Sequence, residues 1–537
     1  MNKNKKRPSR LSLTAVGIGL ILILLALAFF FHIGKEKPDP ELFNAKDLEQ
    51  TEKCLSIWPD YRDIEIPCNI APINYEIREG DSGTRFITRL SSEKGDPIFC
   101  EGKTVRIPEK EWKKLLAENA GKPLKIDTVS LSEKGKTQYK TIINKISSDP
   151  IDPWIVYRLI EPGYEFFREI TLNQRCVESF REEAFVRNTA MTEQMCVNCH
   201  SFQNRETKRF LFHTRNKHAG TVLVENGKAH KVDLKPNELF SACTYPAWHP
   251  SANLIAFSVN STFQAFHLIS KNRIEVMDSR SDLILYDPQK NEIRPILQTD
   301  EDFETFPSWS PDGKYLYYCS AHLVLKDKNR AFQISDEEGS PEKKDGSSLE
   351  RSEFYERYKE FKYDLMRIPF DIASGKFGKP EKVIDAAGMN KSIVHPRVSP
   401  DGRYLMFTMS EYGTFPIWHR ESDLYLLDLS SNKIRALDEV NSEESESYHT
   451  WDSSGRWFVF SSRRDDGSYT RLYFAHFDVE GRISRPFLLP QEHPARNIHL
   501  MKSFNVPEIV REPITIPFKD LKKEANLIFP EEAKFVK

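Results

Sequence analysis

The most reactive spacing in this chain of 537 residues is Met195-Cys196-Val197-Asn198-Cys199-His200-Ser201-Phe202. Cys-x-x-Cys-His is the attachment pattern of a c-type haem. Two thiols add across the porphyrin vinyl groups, and the adjacent histidine becomes the proximal ligand of the iron. Cys196 and Cys199 are therefore read as covalent haem thioethers and His200 as the proximal ligand. A bare Cys pair also suits a thioredoxin-type redox centre or half of a zinc site. No βαβ unit surrounds this pair, and no second Cys-x-x-Cys or finger-spaced His pair occurs. One motif implies one haem c. An electron carrier also needs a sixth ligand. The candidate distal ligand is His213 in the strand-like run Arg209–Arg215, with Met191, His218 and His249 in reserve.

The elements that must position this chemistry start at the N-terminus. Residues 1–10 carry Lys3, Lys5, Lys6, Arg7 and Arg10, and Leu11–Phe31 is apolar. That run is long enough to cross a bilayer. The basic flank is expected to stay in the cytoplasm. The expectation is a single-pass signal anchor over 11–33 in a bacterial inner membrane, with the bulk of the chain in the periplasm. Residues 34–56 read as a linker. Cys54 and Cys68 are close enough in sequence for a disulfide, though spacing cannot fix pairing among Cys54, Cys68, Cys100 and Cys176.

Alternation in Arg85–Leu90, Val105–Ile107, Leu124–Ile126 and Thr128–Leu131 predicts strands. One helix is expected from Glu109 to Glu118, after Pro108 and before Gly121. Residues 57–147 are therefore read as a small β-rich, sandwich-like domain. Over 148–206 the apolar residues Ile155, Leu159, Tyr164, Phe167, Ile170 and Phe180 fall at helical spacings, which predicts a short helical haem-binding segment.

An internal repeat follows the haem motif. Its copies are Trp248-His249-Pro250-Ser251-Ala252-Asn253, Trp309-Ser310-Pro311-Asp312-Gly313, Val398-Ser399-Pro400-Asp401-Gly402 and Trp451-Asp452-Ser453-Ser454-Gly455. Each precedes an alternating aromatic strand. A tight turn with Gly313 or Gly402 at positive φ is expected to join the strands. The pattern closely resembles the propeller repeat of the TolB family across roughly residues 240–490. That resemblance implies blades of four antiparallel strands around a central channel. The expected fold class is mainly β: a TolB-like β-propeller of five or six blades over 207–513, with a C-terminal tail over 514–537.

Net charge is −2, which gives no broad basic surface for nucleic acid. No Gly-x-Ser-x-Gly elbow and no phosphate-cradling loop occurs. The whole arrangement looks like the propeller-bearing c-type cytochrome proteins of Bacteroidetes-type bacteria. The leading expectation is single-electron transfer by one haem, with a periplasmic or membrane protein partner held on the propeller. The alternatives are a scaffold in envelope assembly or cytochrome c maturation with a structural or sensing haem, and a haem peroxidase or propeller hydrolase. Electron transfer or binding is expected rather than hydrolysis.

Overall fold

The computed structural model describes residues 40–161, 169–192, 195–270, 272–324 and 355–537. The expected anchor over 11–33 lies outside them. Among the described residues no helix is long and apolar enough to cross a membrane. All eight cysteines are free, so Cys54 and Cys68 are not bridged.

The N-terminal region forms a seven-stranded sheet and a three-stranded one. Its helix runs Glu109–Glu118 and buries Trp112, Leu115 and Leu116. The Trp112 indole donates to the Ile70 carbonyl at 2.9 Å. This region shares one core with the last propeller blade, from Tyr61, Ile66 and Trp112 to Trp457, Phe474 and Leu488. The Asn74 amide crosses the junction to the carbonyls of Gln491 and Glu492 at 3.3 and 3.1 Å.

Six antiparallel sheets follow, each built on an inner strand. The inner strand of blade I is Ser503–Val510, and those of blades II to VI are Cys196–Phe202, Cys243–Trp248, Asp302–Trp309, Ser392–Val398 and Glu446–Trp451. Successive inner strands touch, and Cys196–Phe202 touches Ser503–Val510, so the ring closes. Blade I is composite. Its inner strand comes from the C-terminal part of the chain, and its outer strands are Trp154–Ile160, Thr171–Cys176 and Glu182–Arg187. The last residues are also employed. Glu531–Glu532 and Lys534–Phe535 add in parallel to the outer edges of blades II and III.

The helical haem segment expected over 148–206 is therefore corrected. Its described residues form all three outer strands of blade I and the inner strand of blade II, and the propeller begins at Trp154 rather than 207. The physical reason is burial on both faces. Trp154, Ile155, Val156 and Tyr157 are all buried, so the strand shows no polar alternation. A short continuous apolar run carries no period that separates strand from helix.

The repeat residues do two local jobs. In the turns, the Ser310 hydroxyl meets Asp312 at 2.6 Å and the Gly313 amide donates to the Ser310 carbonyl at 2.9 Å. Gly313 and Gly402 have φ of 71° and 73°, as the turn requires. Between blades, the tryptophan indole donates to a carbonyl on the preceding inner strand. Trp248 reaches Ser201, Trp309 reaches Ala247 and Trp451 reaches Arg397, at 3.1–3.3 Å.

Candidate functional site

Each inner strand carries the same irregularity at its middle. Two inner-strand residues oppose one residue of the second strand, and the first of the two is left-handed. From blade I to blade VI these residues are Val506, Cys199, Tyr245, Phe306, His395 and Tyr448, with φ between 47° and 55°. None is glycine. Four of them precede proline, which disfavours helical backbone at the residue before it. A left-handed L-residue costs roughly 1–2 kcal/mol. The residue facing each bulge is a buried aromatic: Tyr157, Phe212, Phe257, Tyr318, Phe407 and Phe460 in the same order.

The bulges turn their side chains toward the propeller axis. Tyr245 and Phe306 have ring centroids 4.4 Å apart, Phe306 and His395 4.5 Å, and His395 and Tyr448 4.8 Å. Cys199 completes the circle and acts electrostatically on both Tyr245 and Tyr448. Burial raises the phenol pKa of both tyrosines and lowers that of His395, which is held neutral.

One half of this ring is covered. The hairpin formed by Ile255–Phe266 and Ile274–Asp287 extends beyond its sheet toward blade V. Glu275 on that hairpin meets His419 at 3.1 Å and accepts from the Tyr412 hydroxyl at 2.8 Å. Burial works against charge on His419, but Glu275 and Glu421 outweigh it and raise the pKa to about 9. Asp278 accepts from the Tyr363 hydroxyl at 3.1 Å. Phe306 shares a core with Met277 and Phe263 of this strap, and it and His395 are buried, whereas Tyr448, Val506, Cys199 and Tyr245 are partly exposed. The mouth therefore opens over blades VI, I, II and the edge of III.

The haem motif sits in this ring. Cys199-His200 takes the place that Tyr245-Pro246, Phe306-Pro307 and His395-Pro396 take in other blades. His200 is buried, and its ring nitrogens lack a well-formed hydrogen bond, with only the Val506 backbone placed to favour the charged ring. Burial, reinforced by Arg158, pushes its pKa down to about 3. A neutral ring is what a metal-binding histidine offers. The thiols do not match it. Residues three apart are about 10 Å apart along a strand, against 5–6 Å between Cβ atoms on a helix. Met195 and Val197 pack toward blade I, so alternation turns Cys196 to the blade III face. Cys199 turns to the axis. His200 packs beside Phe202, in the core shared with blade I. The three groups diverge, and as placed they do not fit one covalent haem.

The expected distal ligand is likewise displaced. His213 pairs with Asn198 across the ladder, and its ring approaches Phe257 of blade III at 5.9 Å. Its Nδ1 meets the Thr221 hydroxyl at 2.9 Å. It therefore lies on the opposite face of blade II from His200, and the two cannot bind one iron. His249 is engaged in a turn, where Nδ1 accepts from the amides of Ser251 and Ala252 at 3.2 and 2.9 Å. Among the described residues no three His, Cys, Asp or Glu side chains are grouped to hold a metal ion.

Tyr245, Phe306, His395, Tyr448 and Val506 were not singled out from sequence. The signal was present three residues upstream of each repeat copy. Tyr245 precedes Trp248, Phe306 precedes Trp309, His395 precedes Val398 and Tyr448 precedes Trp451 by that offset. Cys199 precedes Phe202 by the same offset, so extending the repeat upstream places the haem motif inside it.

A closed ring of six four-stranded units with a composite first blade defines a six-bladed β-propeller. Neither a family model nor a curated protein matches the sequence. Similar solved structures include TolB from Acinetobacter baumannii, 11% identical, with a TM-score of 0.38 over 72% of this chain and 78% of that one. They also include the propeller domain of the Trilobed protease from Pyrococcus furiosus, 12% identical, with a TM-score of 0.31 over 75% of this chain and 98% of that one. An auxiliary nutrient binding protein from Bacteroides thetaiotaomicron is 11% identical, with a TM-score of 0.31 over 78% and 96%. The fold assignment rests on the six sheets themselves.

Proposed function

We propose that this chain is a membrane-tethered binding protein on the outer side of a bacterial inner membrane, and that its propeller receives a protein partner at the open half of the axial mouth. One observation carries the reading. Six non-glycine residues are held left-handed in one ring around the axis, four of them in consecutive aromatic contact. Strain of this kind persists where the surrounding structure over-determines it, and such positions cluster at ligand sites. The basic residues before the apolar run Leu11–Phe31 support the tether and its direction.

A photoreactive residue in place of Tyr245 should cross-link a partner in intact cells. The same residue in place of Val479, which is 71% exposed on a turn of blade VI, should not. Equal products at both positions, or none at 245, would remove the axial mouth as the contact.

Electron transfer through a covalent haem is not part of this proposal, because the strand separates Cys196, Cys199 and His200. A denaturing gel of the chain stained for haem should be blank. A stained band that disappears in the double variant Cys196→Ser, Cys199→Ser would reinstate haem c and require this strand to leave its blade.

A further inference from the structure

We infer that the open half of the axial mouth is a carboxylate-binding site formed by Arg158, Arg215 and Arg463 above the aromatic ring. The inference deepens the binding reading above and rests on it.

The three arginines come from three consecutive blades. Arg463 follows the second strand of blade VI, Arg158 lies in the second strand of blade I and Arg215 ends the second strand of blade II. These are the blades the strap leaves uncovered. The ladders put Arg158 opposite Asn505, next to Val506 of the ring, and Arg215 opposite Cys196, and the Arg463 amide donates to the Ser445 carbonyl at 3.1 Å, three residues before Tyr448. Arg158 and Arg463 act on Tyr448, and Arg215 acts on Tyr245. Arg158 and Arg215 also act on Cys196, at the start of the inner strand that carries Cys199.

None of the three is neutralised. Among the described residues no carboxylate oxygen lies within 4.0 Å of any of their guanidinium groups. Arg463 is 8% exposed, its Nε has no partner, and its guanidinium stacks on Trp418 at 3.9 Å. Burial lowers its pKa to about 10, and Asp466 and Glu444 oppose that only from a distance. The Nε of Arg158 is also buried without a partner. Other arginines inside the fold have partners for most of their nitrogens, and Arg175 donates to Gln491 and to the Pro490 carbonyl although its Nε has none. Arg471 donates to four backbone carbonyls, and Arg464 pairs with Glu446 at 2.9 Å. An unpaired buried cation is costly, and a carboxylate from outside would relieve it.

The chemistry of the site selects its occupant. Guanidinium forks match the two oxygens of a carboxylate in plane. The partly exposed rings of Tyr245 and Tyr448 offer an aromatic surface to an aromatic or aliphatic body attached to that carboxylate. Besides Asp466 and Glu444, which act on Arg463, the acidic groups beside the ring are Glu508 and Asp278. Burial raises both to about 7, so each carries only part of a negative charge near neutrality. Glu508 is further occupied with Arg397 and the Phe202 amide, and Asp278 with Asn260 and Tyr363.

Two sources could supply the carboxylate: a free organic acid, or the C-terminus of a polypeptide. Calorimetry on the full chain in detergent distinguishes them. The probes are benzoate, benzyl alcohol, and a hexapeptide ending in phenylalanine with either a free or an amidated C-terminus. Benzoate or the free-acid peptide should bind one per chain, while benzyl alcohol and the amide should bind at least tenfold more weakly. The tighter of the two acids identifies the source. Arg463→Met and Arg158→Met should each weaken the acid at least tenfold, with Arg463→Lys recovering part of the loss. If Arg463→Met fails to fold, the partly exposed Arg215→Met carries the same test. No binding by either acid, or binding indifferent to charge or to these substitutions, overturns the inference. Cross-linking at Tyr245 without carboxylate binding would sink this inference alone. Carboxylate binding without cross-linking would sink the protein partner alone.

Discussion

A chain ending at Lys502 should lose its cooperative melting transition. The deletion removes Ser503–Val510, the inner strand that completes blade I and touches the inner strands of both neighbouring blades. Phe504, Ile509 and Val510 are each at most 1% exposed. Burying such a side chain contributes roughly 1.5–3 kcal/mol, so the three together account for about 6 kcal/mol. That is comparable with the whole net stability of a typical domain. Circular dichroism melts of the full and shortened chains, with the N-terminal segment kept identical, measure it. The missing strand supplied as a peptide should restore part of the transition. An unchanged midpoint in the shortened chain would mean that the ring stands without its closing strand.

Arg471→Met should cost about 4 kcal/mol with no change in any surface group. Arg471 is 1% exposed and lies in the third strand of blade VI. Its guanidinium donates to the carbonyls of Thr470, Asn497, Leu500 and Lys502 at 2.8–3.1 Å. Burial lowers its pKa, and Asp466 and Asp465 counter that from the loop before its strand. Three of those carbonyls, from Asn497, Leu500 and Lys502, belong to the segment that delivers the chain into Ser503. A hydrogen bond from a charged donor is worth roughly 1.5–3 kcal/mol, and each stranded buried acceptor costs roughly 1–3 kcal/mol. Urea unfolding reads the loss directly, and amide exchange in Ser503–Val510 should accelerate with it. A change below about 1 kcal/mol would show that the 496–502 segment holds its shape without the guanidinium.

The propeller was legible where its determinants are local. The Ser-Pro-Asp-Gly turns around Gly313 and Gly402, and the Trp residues that begin three of the copies, recur at fixed offsets. Blade I was not legible, because its inner and outer strands come from opposite ends of the chain. Blade II was hidden differently. Its turn replaces Pro-Asp-Gly with Asn204-Arg205-Glu206, and Asn204 and Arg205 take left-handed φ of 48° and 65° without glycine. Phe202 stands where other copies have Trp. What remained visible was Cys-x-x-Cys-His, whose chemistry is specific when a helical turn brings its groups together. A strand with a bulge after Asn198 sends them apart, and the residue opposite that bulge, Phe212, is on the neighbouring strand. The arginine cradle was invisible for the same reason, since three separate second strands contribute to it.

The composite blade also has a consequence in time. Trp154–Ile160 emerges during synthesis roughly 350 residues before the strand it pairs with. At about 5–20 residues per second that is a wait of roughly 20–70 s. Throughout it, Trp154-Ile155-Val156-Tyr157 presents an unpaired apolar edge, the kind that templates pairing with other chains. The N-terminal domain and five blades can assemble in that interval, but the first blade stays a three-stranded fragment until Val510 has left the ribosome. Yield in cells should therefore depend on what shields this edge during the wait. Polar replacements such as Val156→Thr would spare nascent chains from self-association while weakening the finished ring.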